Sequence, residues 1–166
     1  MARALIVIDI QNSYFPGGEL PLWQAEATEA AIVAAIAKAR AAGDRVILVR
    51  HEAPAGAGLF AAGSLGAALR PAILEAAGAA PQVVKHEADA FQHTDLNTQL
   101  AGIDSLILCG MMTQNCVVFT ALSRAADAYD ITVAGDLCTA PSEIVHQIAL
   151  RALGAKRAVR PSAELW

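Results

Sequence analysis

Short apolar runs alternate with longer alanine-rich stretches along the whole chain. Residues 4–8, 45–50, 82–85, 105–109, 131–134 and 158–160 read as strands, and 24–42, 64–76, 94–101, 113–128 and 141–153 as helices. The runs LIVI and VILV are rich in branched side chains and lack polar alternation, the pattern of strands covered on both faces. Gly43, Gly102 and Gly154 each follow a helical pattern, where a left-handed residue closes the helix. Pro141 suits the first turn of the last helix, where its missing N–H costs nothing. Strands covered on both faces and alternating with helices imply a parallel sheet wrapped by helices.

Composition narrows the class. A chain of 166 residues with no low-complexity linker and no internal repeat is expected to fold as one domain, 1–166. The net charge is −4 with no Lys/Arg cluster, which argues against a nucleic-acid partner. No apolar run is long enough to span a bilayer, so no membrane association is expected. Asp9 directly follows the first apolar run and no small-residue cleavage site follows, so a signal peptide is not expected either. Three cysteines, none in a C-x-x-C pair, make neither a disulfide framework nor a zinc site. A reducing cytoplasm with free thiols fits these features. The hydrophobic fraction of 55% and the apolar, glycine-bearing segment 54–64 suggest surface left to bury: that segment is expected to cover a site or an interface, and the chain to self-associate as a homo-oligomer.

Ligands of open parallel sheets sit beyond the carboxyl ends of the strands. Asp9, Arg50-His51, Lys85, Gly110–Met112 and Asp136 all fall there. Beyond the fourth strand, Cys116 opens a predicted helix. Backbone N–H groups in a first helical turn have no intrahelical partners, and with the helix dipole they favour thiolate. Thr113 as N-cap would put Cys116 at the third helical position, supplying a nucleophile and oxyanion donors from one turn. The plain alternative is a small apolar residue in the core. Asp9 is costly to bury after LIVI unless paired, although a carboxylate capping a loop is common. Lys85, after QVV, could equally be a solvated lysine at a sheet edge. Together the three make an acid, a cation and a thiol at one edge: Asp9 to take the thiol proton, Lys85 to hold Asp9 ionised. This requires the three groups to touch in one cleft, with the sulfur facing an opening.

The segments ALIVIDIQNSYF, VVKHEADAFQHTDLNTQL and CGMMTQNCVVFTALSRAADAYDITVAGDLCTA occur in that order. Over nearly its whole length the chain resembles the isochorismatase-like cysteine hydrolase superfamily, which includes isochorismatases, nicotinamidases and N-carbamoylsarcosine amidase. The resemblance implies a three-layer α/β/α, Rossmann-like fold with a mainly parallel sheet of about six strands. It implies catalytic roles for Asp9, Lys85 and Cys116, a cis peptide at Met111–Met112, and an oxyanion hole from the backbone amides of Met112 and Cys116. It also implies hydrolysis of an amide or carbamoyl C–N bond of a small molecule through a thioester. His146 matches a recurrent histidine of the last long helix, expected to be structural.

Nicotinamidases of that superfamily carry a metal-binding Asp and two histidines after the second strand. Here VRHEAPAGAGLFAAGS offers His51 and Glu52 without a second histidine, so no metal and no other cofactor is expected. Phe15, Trp23, Phe91, His93 and Met111, with Leu59 and Phe60, are candidates for lining a substrate pocket, each with a packing role as the plain alternative. Gln114 and Asn115 are expected to orient the nucleophile turn, and Cys109 and Cys138 to be buried bystanders. Three rival readings stand beside the amidase. One is isochorismate-type vinyl-ether hydrolysis with Asp9 as proton donor, and another is a non-catalytic interaction module on the same fold. The third is a thiol redox protein, which needs a resolving cysteine that Cys109, across the turn, is poorly placed to supply.

Overall fold

The structure is a computed structural model describing residues 1–166. Its strands are β1 (Arg3–Ile8), β2 (Arg45–His51), β3 (Gln82–Lys85), β4 (Ser105–Met111), β5 (Asp130–Thr139) and β6 (Ala158–Arg160). Between them lie α1 (Ala25–Ala41), α2 (Pro71–Ala77), α3 (Leu96–Gln99), α4 (Val118–Ala121) and α5 (Glu143–Gly154). All six strands form one parallel sheet in the order β3-β2-β1-β4-β5-β6. This is the doubly wound α/β/α arrangement that the alternation of strands and helices implied.

The central strand shows why the pattern was readable. Ala4, Leu5, Ile6, Val7 and Ile8 are each at most 1% exposed. A strand with neighbours on both edges and helices over both faces has no position where a polar side chain reaches water. A contiguous cluster of 43 buried residues runs from Ala4 to Leu153. No helix is long and apolar enough to cross a membrane.

The helices depart from expectation where local chemistry overrides periodicity. The helix expected over 64–76 begins only at Pro71. Arg70, preceding the proline, is held extended at φ −61°, ψ 134°, because the proline ring disfavours helical backbone at the residue before it. The stretch 113–128 is three pieces: a π-turn (Thr113–Val117), α4, and a 3₁₀ turn (Arg124–Ala128). Ser123 starts the last of these by accepting from the Ala125 amide, while the Arg157 guanidinium takes the Ala121 carbonyl at 2.8 Å. Pro141 lies outside α5. Ser142 is the N-cap instead, its hydroxyl accepting from Val145 N–H. Gly154 is the last residue of α5 and not a left-handed terminator, whereas Gly43 and Gly102 have φ of 83° and 78°.

The chain order reverses between β1 and β4, which are neighbours in the sheet. In parallel sheets this switch point leaves a crevice beyond the strand ends. Gly110 lets β4 close on β1 there: its φ is +127°, and a Cβ would lie 2.0 Å from the Ile8 carbonyl oxygen. Gly110→Ala is therefore expected to cost about 3 kcal/mol or more of stability, read as a lower midpoint in urea unfolding.

Candidate active site

Asp9 follows β1, buried at 0% exposure and in the left-handed region at φ 55°, with its amide donating to the Val49 carbonyl at 2.9 Å. Lys85 ends β3, two strands away, where it pairs in register with His51 of β2. Adjacent strands lie about 4.8 Å apart, so reaching β1 from β3 takes roughly 10 Å, within range of a lysine crossing over its neighbour. The Lys85 Nζ arrives 2.8 Å from Asp9 Oδ2, 3.2 Å from Cys116 Sγ, 3.0 Å from His51 Nδ1 and 3.0 Å from the Glu87 carbonyl. Lys85 is 0% exposed and Cys116 2%. The acid, the ammonium and the thiol are in mutual reach.

Cys116 sits in the π-turn, whose wider winding is marked by Val117 N–H donating to Met112 O at 3.3 Å. The Met111–Met112 peptide bond is cis. Thr113 is not the N-cap: it is the first residue of the turn, and its Oγ1 lies 2.8 Å from His146 Nδ1. Met112 takes the N-cap position in extended backbone, which puts Cys116 fourth in the turn rather than third. The Met112 N–H donates to no backbone carbonyl. His146, buried and tilted against the Trp23 ring, steadies the turn from α5.

The charge state of the sulfur differs from expectation. Burial, with the Asp9 charge adding to it, pushes the Cys116 thiol up to about 12, while Lys85 pulls the other way. Desolvation and the Asp9 charge together favour the thiol over the thiolate. Burial also disfavours the Lys85 ammonium, but Asp9 and Cys116 outweigh that and raise it. Burial pushes the Tyr14 phenol strongly up, helped by Asp9 and Cys116. Asp9 Oδ2 and Lys85 Nζ form a fully buried ion pair at 2.8 Å.

The sulfur lies in a nearly closed position, with Cys116 2% exposed, where a wider opening was expected. A cleft of about 680 Å³ is lined by Asn12, Glu19, Glu29 and Arg70, among others, and one of about 410 Å³ by His51, Glu52, Ala53, Pro54, Ala62 and His86. Neither is lined by Asp9, Lys85 or Cys116. Phe60, 4% exposed, packs edge-on against Tyr14 at 4.9 Å and tilted against His51 at 5.3 Å, from the glycine-bearing segment 54–64. That segment thus covers the reactive cluster.

Most candidate pocket residues are packing residues in this structure. Phe15 lies under the Arg70 guanidinium at 4.1 Å, 2% exposed, Phe91 stacks on Tyr129 at 6.1 Å, and Met111 is 0% exposed. His93 is exposed, at φ 54°, while Trp23 and Leu59 are half-buried. Asp136 is drawn away to cap Ser162 at 2.7 Å, and Arg50 pairs with Glu52 at 3.2 Å. Two residues escaped the sequence reading. Tyr14 borders Asp9 and Cys116, and His86 joins His51 in lining the smaller cleft. Gln114 donates to Met112 Sδ at 3.4 Å and leaves its own Oε1 buried without a partner. Donor atoms of Asp9, His51 and Cys116 lie within 4.8 Å of one another, a spacing that could hold a metal. The Lys85 ammonium touches all three, however, so a resident cation already fills the place between them and the set does not fit a metal.

Fold and cluster together define an α/β/α protein with a buried acid–lysine–thiol group at its switch point. The Isochorismatase domain profile matches residues 3–162, and the chain belongs to the isochorismatase family of hydrolases. The isochorismatase family protein YddQ of Bacillus subtilis is 31% identical over 100% of this chain and 99% of its own. An isochorismatase family protein from Desulfovibrio vulgaris superposes with a TM-score of 0.90 at 30% identity, over 99% of this chain and 96% of that one. Nicotinamidase PncA from Bacillus subtilis shares the fold, with a TM-score of 0.83 at 24% identity over 96% and 99% of the two chains.

Two outcomes follow from the buried, protonated sulfur. With its titration pushed to about 12, iodoacetamide labelling of the Cys116 peptide should rise about tenfold per pH unit between pH 7 and 10; a plateau reached below pH 8 would show a resting thiolate. Phe60→Ala should speed that labelling at least about threefold by uncovering the cluster, and an unchanged rate would mean that Phe60 is not the cover.

Proposed function

We propose that this chain is a cysteine-dependent hydrolase that cleaves an amide or carbamoyl C–N bond of a small molecule through a thioester. The observation that carries the reading is one buried ammonium touching a carboxylate at 2.8 Å and a sulfur at 3.2 Å. A non-catalytic core has no use for such a group, because three polar side chains taken out of water cost several kcal/mol that apolar residues would not.

Cys116 Sγ attacks the carbonyl carbon as its proton passes to Asp9, the carboxylate that Lys85 holds in the same cluster at 2.8 Å. Proton transfer coupled to attack suits a thiol that is not ionised at rest. The negative charge moves to the carbonyl oxygen, which the backbone N–H groups of Met112 and Cys116 receive. Collapse of the tetrahedral species breaks the C–N bond, and Asp9 returns the proton to the departing amine. Asp9 then takes a proton from water, the hydroxide attacks the thioester, and the carboxylic acid leaves as the thiol reforms. Lys85 keeps its positive charge throughout and stabilises each anionic state.

The test is a panel of primary amides, carbamoyl compounds and isochorismate, assayed with wild type, Cys116→Ala and Asp9→Asn. Both variants should lose at least about 10³-fold in kcat/KM on the amide that wild type cleaves best. Amide turnover surviving in Cys116→Ala would overturn the thioester route. Isochorismate turnover surviving there but lost in Asp9→Asn would point instead to proton donation to a vinyl ether.

A further inference from the structure

Helix α5 turns one face to the body of the protein and leaves the other without a partner. His146, Ala149 and Leu153 are buried. Ile144 and Ile148, one turn apart on the outer face, are 69% and 62% exposed. The neighbouring α4 adds Phe119 and Leu122, 54% and 46% exposed. Four of the seven large apolar side chains that the chain leaves in solvent thus stand on two adjacent helices. Scattered singly, such residues mean little; gathered, they mark a surface that something covers.

The charges on α5 name what covers it. Glu143, Gln147 and Arg151 line a cleft of about 410 Å³ together with the two isoleucines. Glu143 and Arg151 stand about 12 Å apart along the helix axis, too far to meet each other. Neither belongs to any of the chain's five ion pairs. Gln147 lies midway between them. A second α5 laid antiparallel across Gln147 sets its Arg151 against Glu143 and its Glu143 against Arg151, and the isoleucines interleave between the two charge pairs. The face is complementary to itself, as a two-fold interface requires. Charges of these signs at these ends also suit the dipole of any exposed helix. The apolar pair between them does not.

We propose that α5 is the centre of a two-fold interface between two copies of this chain, with the two α5 helices antiparallel and Phe119 and Leu122 of α4 at its flank. The pairing stands apart from the chemistry proposed above, yet it backs the same site. His146 Nδ1, on α5, lies 2.8 Å from Thr113 Oγ1, and α4 continues directly from the π-turn that carries Cys116. A second copy therefore presses on the two helices that hold the nucleophile turn.

The test is sedimentation at about 100 µM, well above the Kd of a stable interface, with folding of each variant checked by urea unfolding. Wild type should show twice the 17.2 kDa of one chain. Glu143→Arg gathers only arginines at the charge pairs and Arg151→Glu only glutamates, so each should raise the dimer Kd at least about thirtyfold. Ile148→Lys should do the same through the apolar contact, again by at least about thirtyfold. Mixing Glu143→Arg with Arg151→Glu restores both charge pairs, and the mixture should dimerise within about threefold of the wild-type Kd. Damage confined to one chain is not repaired by mixing. If wild type forms a larger assembly, each single variant should halve its mass and the mixture should recover it. A monomeric wild type, single variants that keep the wild-type mass, or a mixture that stays dissociated would each overturn the proposal.

Discussion

One fully buried ammonium organises this protein's reactive centre. Lys85 is 0% exposed, and so is the carboxylate beside it. Transferring such a pair from water costs several kcal/mol per ion and is tolerable only when the partners are close and the remaining hydrogens are taken. Each nearby irregularity serves that requirement. Asp9 leaves β1 in left-handed backbone, the chain runs through Glu87 so that its carbonyl meets the ammonium, and the π-turn brings the sulfur to 3.2 Å. The apolar strands β1 and β4 supply the dry walls that make these contacts strong.

The same dryness decides the state of the thiol. In water, an ammonium and a helix start would favour thiolate. Here desolvation and the neighbouring Asp9 charge win, and the sulfur keeps its proton. Under the proposed mechanism this makes Asp9 a proton acceptor during attack rather than a spectator to a preformed ion pair. It also explains why a cover is useful. With Phe60 packed on Tyr14 and His51, water is kept from the buried Asp9–Lys85 pair. A protonated sulfur at rest is also less open to oxidation than an exposed thiolate.

Much of this was legible in the chain. The strands at 82–85 and 158–160 match β3 and β6 at both ends, and α1 lies within the stretch 24–42, because both periodicities were strong there. The long helix expected over 113–128 was misread for a physical reason: a π-turn differs from an α-helix by one residue per hydrogen-bonded ring, and no residue pattern marks that. Pro71 in the window 64–76 was the signal that should have moved the helix start. For the site, Asp9, Lys85 and Cys116 could be named because each follows an apolar strand. Tyr14 could not, since nothing in its neighbours marks it as reaching the same centre, nor could the place of His86 in the smaller cleft beside His51. The aromatic candidates mostly seal the core, as large apolar side chains after strands usually do.

The sequence by itself determined the strand–helix alternation, the dry central strands, and which polar residues stand at their carboxyl ends, because local periodicity and burial cost are written residue by residue. Only the tertiary structure decided that β3 lies two strands from β1, so that Lys85 must pass His51 to reach Asp9. It alone decided that Asp9, His51, the Glu87 carbonyl and Cys116 all meet at the Lys85 ammonium, and that Phe60 packs over Tyr14 and His51. These depend on strand order and on angles between groups far apart in the chain, and no window of residues contains them.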